Sequence, residues 1–221
     1  MNTDRIFLVI VPILRPWVMR KARRRRESFA AEPAAPGRVV FLGDSITERG
    51  AWSELFPELA TLNRGIDGDT TEDVIARLDD ALEAPVAVSV LIGTNDLHTY
   101  RHLKDPEGIV RRVQEIVRGI RHAAPGAALF VNGLTPRSPY FADRIRSLNE
   151  RYREIAEQEG ATYVDLWPAL ADERGALRKE YTFDSLHLSA AGYRAWSEVL
   201  RPLLAPFALS AASIIDKEKS G

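Results

Sequence analysis

The sequence has 221 residues, of which 45% are hydrophobic and 28% are charged, and this composition excludes collagen-like, disordered and polytopic membrane proteins. The absence of cysteine excludes a disulfide scaffold, a thiolate metal site and a cysteine nucleophile. The formal net charge is -1, but basic residues are concentrated in the N-terminal segment, so the remainder is acidic and nucleic acid is not expected as a partner.

The chain begins with a short apolar run from Ile6 to Leu14, followed by Trp17 and a basic run from Arg20 to Arg26. The apolar run is shorter than the roughly 18–20 residues that cross a bilayer, and most of the positive charge follows it, which disfavours a secretory signal. Two interpretations stay open. Residues 6–26 contact an anionic membrane surface, or the segment packs on the domain or frays in solvent. The predicted location is the cytoplasm, with secretion the less favoured alternative.

The sequence predicts one domain flanked by two less ordered segments. An Ala/Pro-rich stretch at 30–37 is typical of a linker, and the polar residues after Leu209 predict a loosely held tail. The expected organisation is an N-terminal segment with its linker at 1–37, a domain at 38–206 and a C-terminal tail at 207–221. Within the domain, short apolar runs predict five strands, at 39–42, 61–63, 86–92, 128–131 and 162–166.

Helical patterns lie between these strands. A capping-box pattern at Thr70 and Asp73 precedes apolar positions that continue to Leu82 on one helix face. Asp105 predicts the start of a second helix, 141–158 has helical periodicity, and Ser189 predicts the cap of the last helix. Alternating strands and helices predict βαβ units, and therefore a parallel sheet covered on both faces.

Polar residues cluster where the predicted strands end, which is where such a sheet binds ligands. They supply the parts for acyl transfer. His187 can take the proton of the Ser45 hydroxyl, and Asp184 can orient the imidazole from three residues upstream. The backbone N–H groups of Ser45 and Gly65 and the side-chain amide of Asn95 are candidate donors to an oxyanion. Taken alone, Ser45 could also be a helix cap.

These residues lie in four sequence blocks, which are Phe41–Thr47, Asn63–Gly65, Gly93–Asp96 and Asp184–His187. In their sequence and order, these blocks resemble those of the SGNH (GDSL-type) hydrolases. The resemblance covers roughly residues 38–205. The stretch from Asn63 is similar to the branch akin to platelet-activating-factor acetylhydrolase catalytic subunits. The family implies a Ser45, His187 and Asp184 triad, an oxyanion hole from Ser45, Gly65 and Asn95, and a flavodoxin-like αβα sandwich around a mostly parallel five-stranded sheet.

The predicted function is a serine esterase that cleaves carboxylic esters with short acyl chains and uses no cofactor. The alternatives are a lysophospholipase or lipase, a carbohydrate O-deacetylase, an acyltransferase or a non-catalytic binding module on the same fold. No metal site is expected, because His98, His102 and His122 lack ligand-like spacing. The partner is a small ester, and the oligomeric state stays open.

Weaker candidates for the substrate pocket are mostly aromatic. Aromatic residues at these spacings are more often core residues than ligand contacts. The candidates are Arg137, Tyr140, Phe141 and Tyr181.

Overall fold

The computed structural model describes residues 20, 22–29, 36–82, 84–97 and 105–209. Five parallel strands form one sheet with the order β2-β1-β3-β4-β5, which is the order of flavodoxin-like doubly wound folds. The predicted α/β fold with a parallel five-stranded sheet is thus confirmed. The strands are β1 (Val39–Gly43), β2 (Thr61–Gly65), β3 (Ala87–Leu91), β4 (Ala128–Asn132) and β5 (Thr162–Val164).

Helices follow the strands along the chain, and their predicted caps are present. Thr70 and Asp73 form the capping box, and the side chains of Asp105 and Ser189 accept hydrogen bonds from the first turns of their helices. The helices are α1 (Ser45–Glu48), α2 (Trp52–Leu55), α3 (Thr71–Ile75), α4 (Leu78–Ala81), α5 (Pro106–Ala123), α6 (Ala142–Gln158), α7 (Trp167–Leu170) and α8 (Ala190–Leu204). Residues 22–29 are also helical and are called the N-terminal helix below.

Side chains alternate between the two faces of the sheet, so each face has its own apolar core. On one face, Val40 and Leu42 of β1 pack with the apolar stripes of α5 and α6. On the other face, Phe41 packs with α2 and α8, and its ring stacks on Trp52 at 4.0 Å between centroids. Each fully buried side chain of this size contributes about 1.5–3 kcal/mol relative to exposure. This packing makes the sheet a rigid support for the loops at its carboxyl edge.

Several predicted elements differ from the structure in their bounds. The helix expected from Thr70 to Leu82 is divided into α3 and α4, because Arg77 leaves the helical conformation with φ -130° and ψ 13°. Its side chain is buried and turns to Asp69 instead of lying on a solvent-exposed face. The last strand ends at Val164 instead of residue 166.

The N-terminal helix packs on the domain. Phe29 is buried, with the guanidinium groups of Arg25 and Arg64 at 5.0 and 4.5 Å from its ring centre. Arg25 Nη2 donates to the Asn63 carbonyl of β2 at 3.4 Å. For residues 22–29, the structure therefore agrees with the interpretation that the segment packs on the domain. The apolar run at 6–14 lies outside the described residues, so its membrane contact stays a prediction.

In the part of the chain that is described, no helix has the length and apolar character needed to cross a membrane. The start of the predicted tail is held more firmly than expected. Phe207 packs edge-on against Phe130 of β4, and Leu209 N–H donates to the Glu58 carbonyl at 2.8 Å. The linker at 30–35, His98, His102 and residues 210–221 lie outside the described residues.

Candidate active site

Ser45 lies at a tight turn between β1 and α1. Asp44 is the N-cap of α1, and its Oδ1 accepts the Ile46 N–H at 2.9 Å. A Cβ at Gly43 would meet the Leu91 carbonyl oxygen at 2.2 Å, so only glycine fits there. The turn thereby holds Ser45 at the carboxyl edge of the sheet, at the first residue of α1.

Ser45, His187 and Asp184 form a continuous chain of hydrogen bonds. Ser45 Oγ lies 3.1 Å from His187 Nε2, and His187 Nδ1 lies 2.6 Å from Asp184 Oδ2. When Nδ1 carries the proton and its N–H donates a hydrogen bond to Asp184, Nε2 is free to accept the hydroxyl proton of Ser45. The three residues that the sequence predicts as a triad are therefore brought together by the fold.

A short loop holds the histidine and the aspartate in this arrangement. Thr182 and Leu188 pair across its base, and Asp184 Oδ1 accepts the backbone N–H of Leu186 at 3.0 Å and of His187 at 2.8 Å. Burial acts to raise the pKa of Asp184, but the hydrogen bonds from His187 and Leu186 outweigh it and lower the pKa. Asp184 is therefore ionised at neutral pH and faces the imidazole as a carboxylate.

Gly65 does not supply the oxyanion donor that the sequence predicts. Its N–H donates to Asn63 Oδ1 at 2.9 Å, and a Cβ on Gly65 would meet the backbone nitrogen of Glu48 at 2.1 Å. The Asn63 amide in turn donates to three carbonyls of the α1 region, those of Thr47, Glu48 and Gly50. Gly65 is thus a packing residue that lets α1 lie directly on β2.

Gly68 is the better candidate, and the sequence analysis missed it. It adopts φ +83°, and its N–H has no hydrogen-bond partner among the residues that the structure describes. The same holds for the N–H of Ser45. The next residue, Asp69, accepts the Asn95 side-chain amide at 2.9 Å through its backbone carbonyl, so Gly68 and Asn95 lie on adjoining segments. The signal in the sequence is a glycine between two aspartates, because this turn requires a positive φ.

Asp96 supports this edge of the sheet. Its buried carboxylate accepts the Thr71 N–H at 3.0 Å and the Thr71 hydroxyl at 2.6 Å, which fixes α3 against the loop after β3. Burial, together with the nearby Asp69, Asp96 and Asp67, raises the pKa of Asp44 to about 7. Burial likewise raises the pKa of Asp69 to about 6, although Arg77 opposes the shift.

The four weaker pocket candidates divide into buried and accessible residues. Arg137 and Phe141 are both 2% exposed, and the guanidinium stacks 4.3 Å above the ring, so neither lines an open pocket. Tyr181 packs against the core, and only Tyr140, at 66% exposure, presents its ring to solvent. Phe183, next to Asp184, was not predicted and is 95% exposed. The aromatic surface beside the triad therefore comes mainly from Phe183.

A metal site was not expected from the sequence. Among residues 20, 22–29, 36–82, 84–97 and 105–209, no group of three or more His, Asp or Glu side chains is placed to hold a metal ion. The expectation that the chain works without a metal or cofactor stays a prediction.

Comparisons with known proteins identify the family. The model of the GDSL-like lipase/acylhydrolase family matches residues 41–195. Platelet-activating factor acetylhydrolase IB subunit alpha1 of Rattus norvegicus is 33% identical over 177 residues, covering 75% of this chain and 74% of the relative. Subunit alpha2 from the same species is 30% identical and covers 75% and 73%.

Solved structures give the same result for the fold. A Streptococcus pneumonia structure, provisionally named a platelet activating factor, has a TM-score of 0.80 and 27% identity, covering 89% of this chain and 98% of that one. A GDSL-like lipase from Bacteroides thetaiotaomicron shares the fold, with a TM-score of 0.73 and 22% identity over 84% and 97% of the two chains. This chain belongs to the GDSL-like lipase/acylhydrolase family and is a hydrolase that acts on esters.

Proposed function

We propose that this protein is a serine esterase that removes short acyl groups through a covalent acyl-enzyme. The observation that carries the proposal is the chain of two hydrogen bonds from Asp184 through His187 to Ser45. A serine hydroxyl is a weak nucleophile unless a base accepts its proton, and this arrangement supplies the base and the group that orients it.

The reaction runs in two halves. Ser45 Oγ attacks the ester carbonyl carbon while His187 Nε2 takes its proton, and the carbonyl oxygen becomes an oxyanion. The N–H groups of Ser45 and Gly68 and the Asn95 amide stabilise that charge. The C–O bond to the alcohol then breaks, and His187 returns the proton to the leaving oxygen. In the second half His187 activates water, which attacks the acyl carbon and releases the acid and Ser45.

The preference for short acyl groups rests on the relatives. Those that match about three quarters of this chain are named acetylhydrolases, so the group they release is acetyl. A second candidate is an ester with a longer apolar chain, because the exposed ring of Phe183 beside Asp184 offers apolar surface to such a substrate. Both candidates use the same nucleophile and differ only in acyl preference.

Turnover of p-nitrophenyl esters from acetyl to palmitoyl tests the proposal, with wild type and Ser45→Ala measured side by side. We expect the highest kcat/KM on acetyl and propionyl esters, and a loss of at least about 10⁴-fold in Ser45→Ala. Activity that rises with chain length would favour the second candidate. Activity that survives in Ser45→Ala, or a wild type without activity on any ester, would refute the esterase mechanism.

Acyl transfer to another alcohol shares the same acyl-enzyme. Adding a competing alcohol and analysing the products separates the two reactions. Hydrolysis predicts the free acid as the main product at every alcohol concentration, whereas a transferase would form the new ester.

A further inference from the structure

Arg77 is a buried arginine that the ester mechanism does not use directly. Its side chain is 2% exposed, and Asp69, its ion-pair partner, is 8% exposed. Arg77 Nε donates to Asp69 Oδ2 at 2.7 Å, and Nη2 donates to the backbone carbonyls of Gly43 and Arg64, both at 3.0 Å. One guanidinium therefore joins a carboxylate to the ends of two neighbouring strands.

These contacts lead to the segments that carry the proposed oxyanion donors. Gly43 precedes Asp44 and Ser45 at the end of β1. Arg64 is near the end of β2, and the chain continues from there through Ile66 to Gly68. The Ile66 N–H donates to the Gly43 carbonyl at 3.0 Å. Asp69 also holds the third donor, because its backbone carbonyl accepts the Asn95 amide at 2.9 Å. Arg77 and Asp69 are thus in contact with the segments of all three donors.

A buried ion pair of this kind is poorly explained by stability alone. Moving both charges out of water costs much of what their attraction returns, and apolar residues of similar volume often replace such pairs without loss of stability. Burial lowers the pKa of Arg77 and raises that of Asp69, which reflects the same cost. Apolar residues could not reproduce the fixed hydrogen-bonding geometry of the guanidinium.

We propose that Arg77 and Asp69 are positioning residues that fix the spacing of the oxyanion donors at Ser45, Gly68 and Asn95. This inference rests on the proposed esterase function. Neither side chain touches the substrate. Their effect is to hold three backbone segments at the separation that a tetrahedral oxyanion requires, and displacements of about 1 Å in such a site cost on the order of 10²-fold in rate.

The test compares Arg77→Lys with Arg201→Lys in the full chain. Lysine keeps the charge of Arg77 but cannot reach a carboxylate and two carbonyls together. Arg201 is a matched control, because it also donates to a carboxylate, of Glu58, and to a carbonyl, of Leu55, away from the site. We expect kcat on p-nitrophenyl acetate to fall about 10- to 100-fold in Arg77→Lys, with KM changed by less than about twofold. Arg201→Lys should keep the wild-type kcat.

A double variant separates positioning from folding. Asp69→Leu with Arg77→Met removes both charges together and leaves no buried charge unpaired. We expect a cooperative thermal transition close to that of the wild type, with the same loss of kcat. The inhibition constant of an alkyl boronic acid, whose tetrahedral adduct needs the oxyanion donors, should rise by a similar factor.

The outcomes are distinct. A folded Arg77→Lys or double variant with wild-type kcat and boronic acid affinity overturns the inference. If Arg77→Lys does not fold, the double variant decides. A wild type without turnover on any ester refutes the proposed function itself, and does so before any variant is compared.

Discussion

The two halves of the site are held in different ways. Ser45 is 3% exposed, and buried contacts fix its surroundings: the Gly43 turn, the Asp44 cap and Arg77. Hydrogen bonds within their loop hold Asp184 and His187, and the Asp184 side chain is 38% exposed. Leu186 and Leu188 anchor this loop in the core. Changes that leave a buried group near Ser45 without its partner should therefore affect both folding and rate, whereas changes of exposed side chains in the other loop should affect mainly rate.

The largest expected effect tests the exposed half. Asp184→Asn keeps the hydrogen bonds to the Leu186 and His187 backbone, but it no longer stabilises the imidazolium or its tautomer. We expect kcat to fall on the order of 10⁴-fold. The midpoint of thermal unfolding should move by less than about 3 °C. Steady-state kinetics and thermal unfolding measure the two effects.

Asp172→Asn is the matched control for this variant. Asp172 Oδ1 also accepts two backbone N–H groups, from Arg174 and Ala176, both at 2.9 Å, but among the described residues it has no histidine partner. The kcat of Asp172→Asn should equal that of the wild type. A loss of only about tenfold in Asp184→Asn would contradict the role of this carboxylate in a triad.

The next prediction concerns the buried half of the site, and it is the pH dependence of stability that Asp44 causes. Asp44 has a pKa of about 7 in the folded protein, against an ordinary value of 3.8, so the folded state binds the proton more tightly. Stability should fall as pH rises from about 4 to 7, where the unfolded chain is ionised and the folded one is not, and level off above that. The total is on the order of 4 kcal/mol.

Urea unfolding of wild type and Asp44→Asn between pH 4 and 8 measures this effect. The asparagine cannot ionise and can still accept the Ile46 N–H, so the stability of wild type relative to the variant should decrease across that interval. In Asp172, whose pKa is lowered by hydrogen bonds from Ala176 and Arg174, the same comparison has the opposite sign. Parallel curves for wild type and Asp44→Asn would mean that Asp44 titrates normally.

A pair of glycine variants sharpens the distinction between packing and chemistry. The Cβ of Gly65→Ala would overlap the backbone of Glu48, which should cost about 2 kcal/mol or more and lower the thermal midpoint by about 5 °C. Gly68→Ala strains a positive φ, at about 1–2 kcal/mol, and it disturbs a proposed donor.

Thermal unfolding, and kcat measured at a temperature where both variants are folded, distinguish the packing role from the oxyanion role. We expect Gly65→Ala to lose more stability and Gly68→Ala to lose more kcat. The reverse result for kcat would return the oxyanion role to Gly65.

The smallest effect concerns Phe183. The ring is 95% exposed, so Phe183→Ala should leave the thermal midpoint unchanged. If the ring contacts apolar acyl chains, KM for hexanoyl esters should rise about threefold to tenfold, while KM for acetyl esters stays the same. Equal changes for both esters would exclude an acyl contact.

Much of the fold and the triad could be predicted from the sequence because both depend on local patterns. Apolar runs indicate buried strands, and Asp184 and His187 are close enough in the chain for a single loop to join them. Ser45 follows β1 directly, so the rule that sites lie at carboxyl edges was sufficient to place it.

The oxyanion loop and the pocket depended on contacts between distant residues. Gly65 and Gly68 both suit a close backbone approach, and the structure distinguishes them by the bond from the Gly65 N–H to Asn63 Oδ1 and by the positive φ of Gly68. Arg77 resembles any polar residue in a helical pattern until its partners, Gly43 and Arg64, are located in space. Arg137 and Phe141 follow a strand end, yet they stack on each other in the interior.

The N-terminal helix has a consequence for self-association. In the order β2-β1-β3-β4-β5, β2 is an edge strand, and unpaired backbone groups on such an edge can template the addition of a strand from another molecule. Arg25 occupies one of these groups, the Asn63 carbonyl, and Phe29 covers the adjacent surface. The helix thus covers part of the edge nearest the proposed oxyanion loop, and we expect a chain shortened to begin at Gly37 to self-associate more readily.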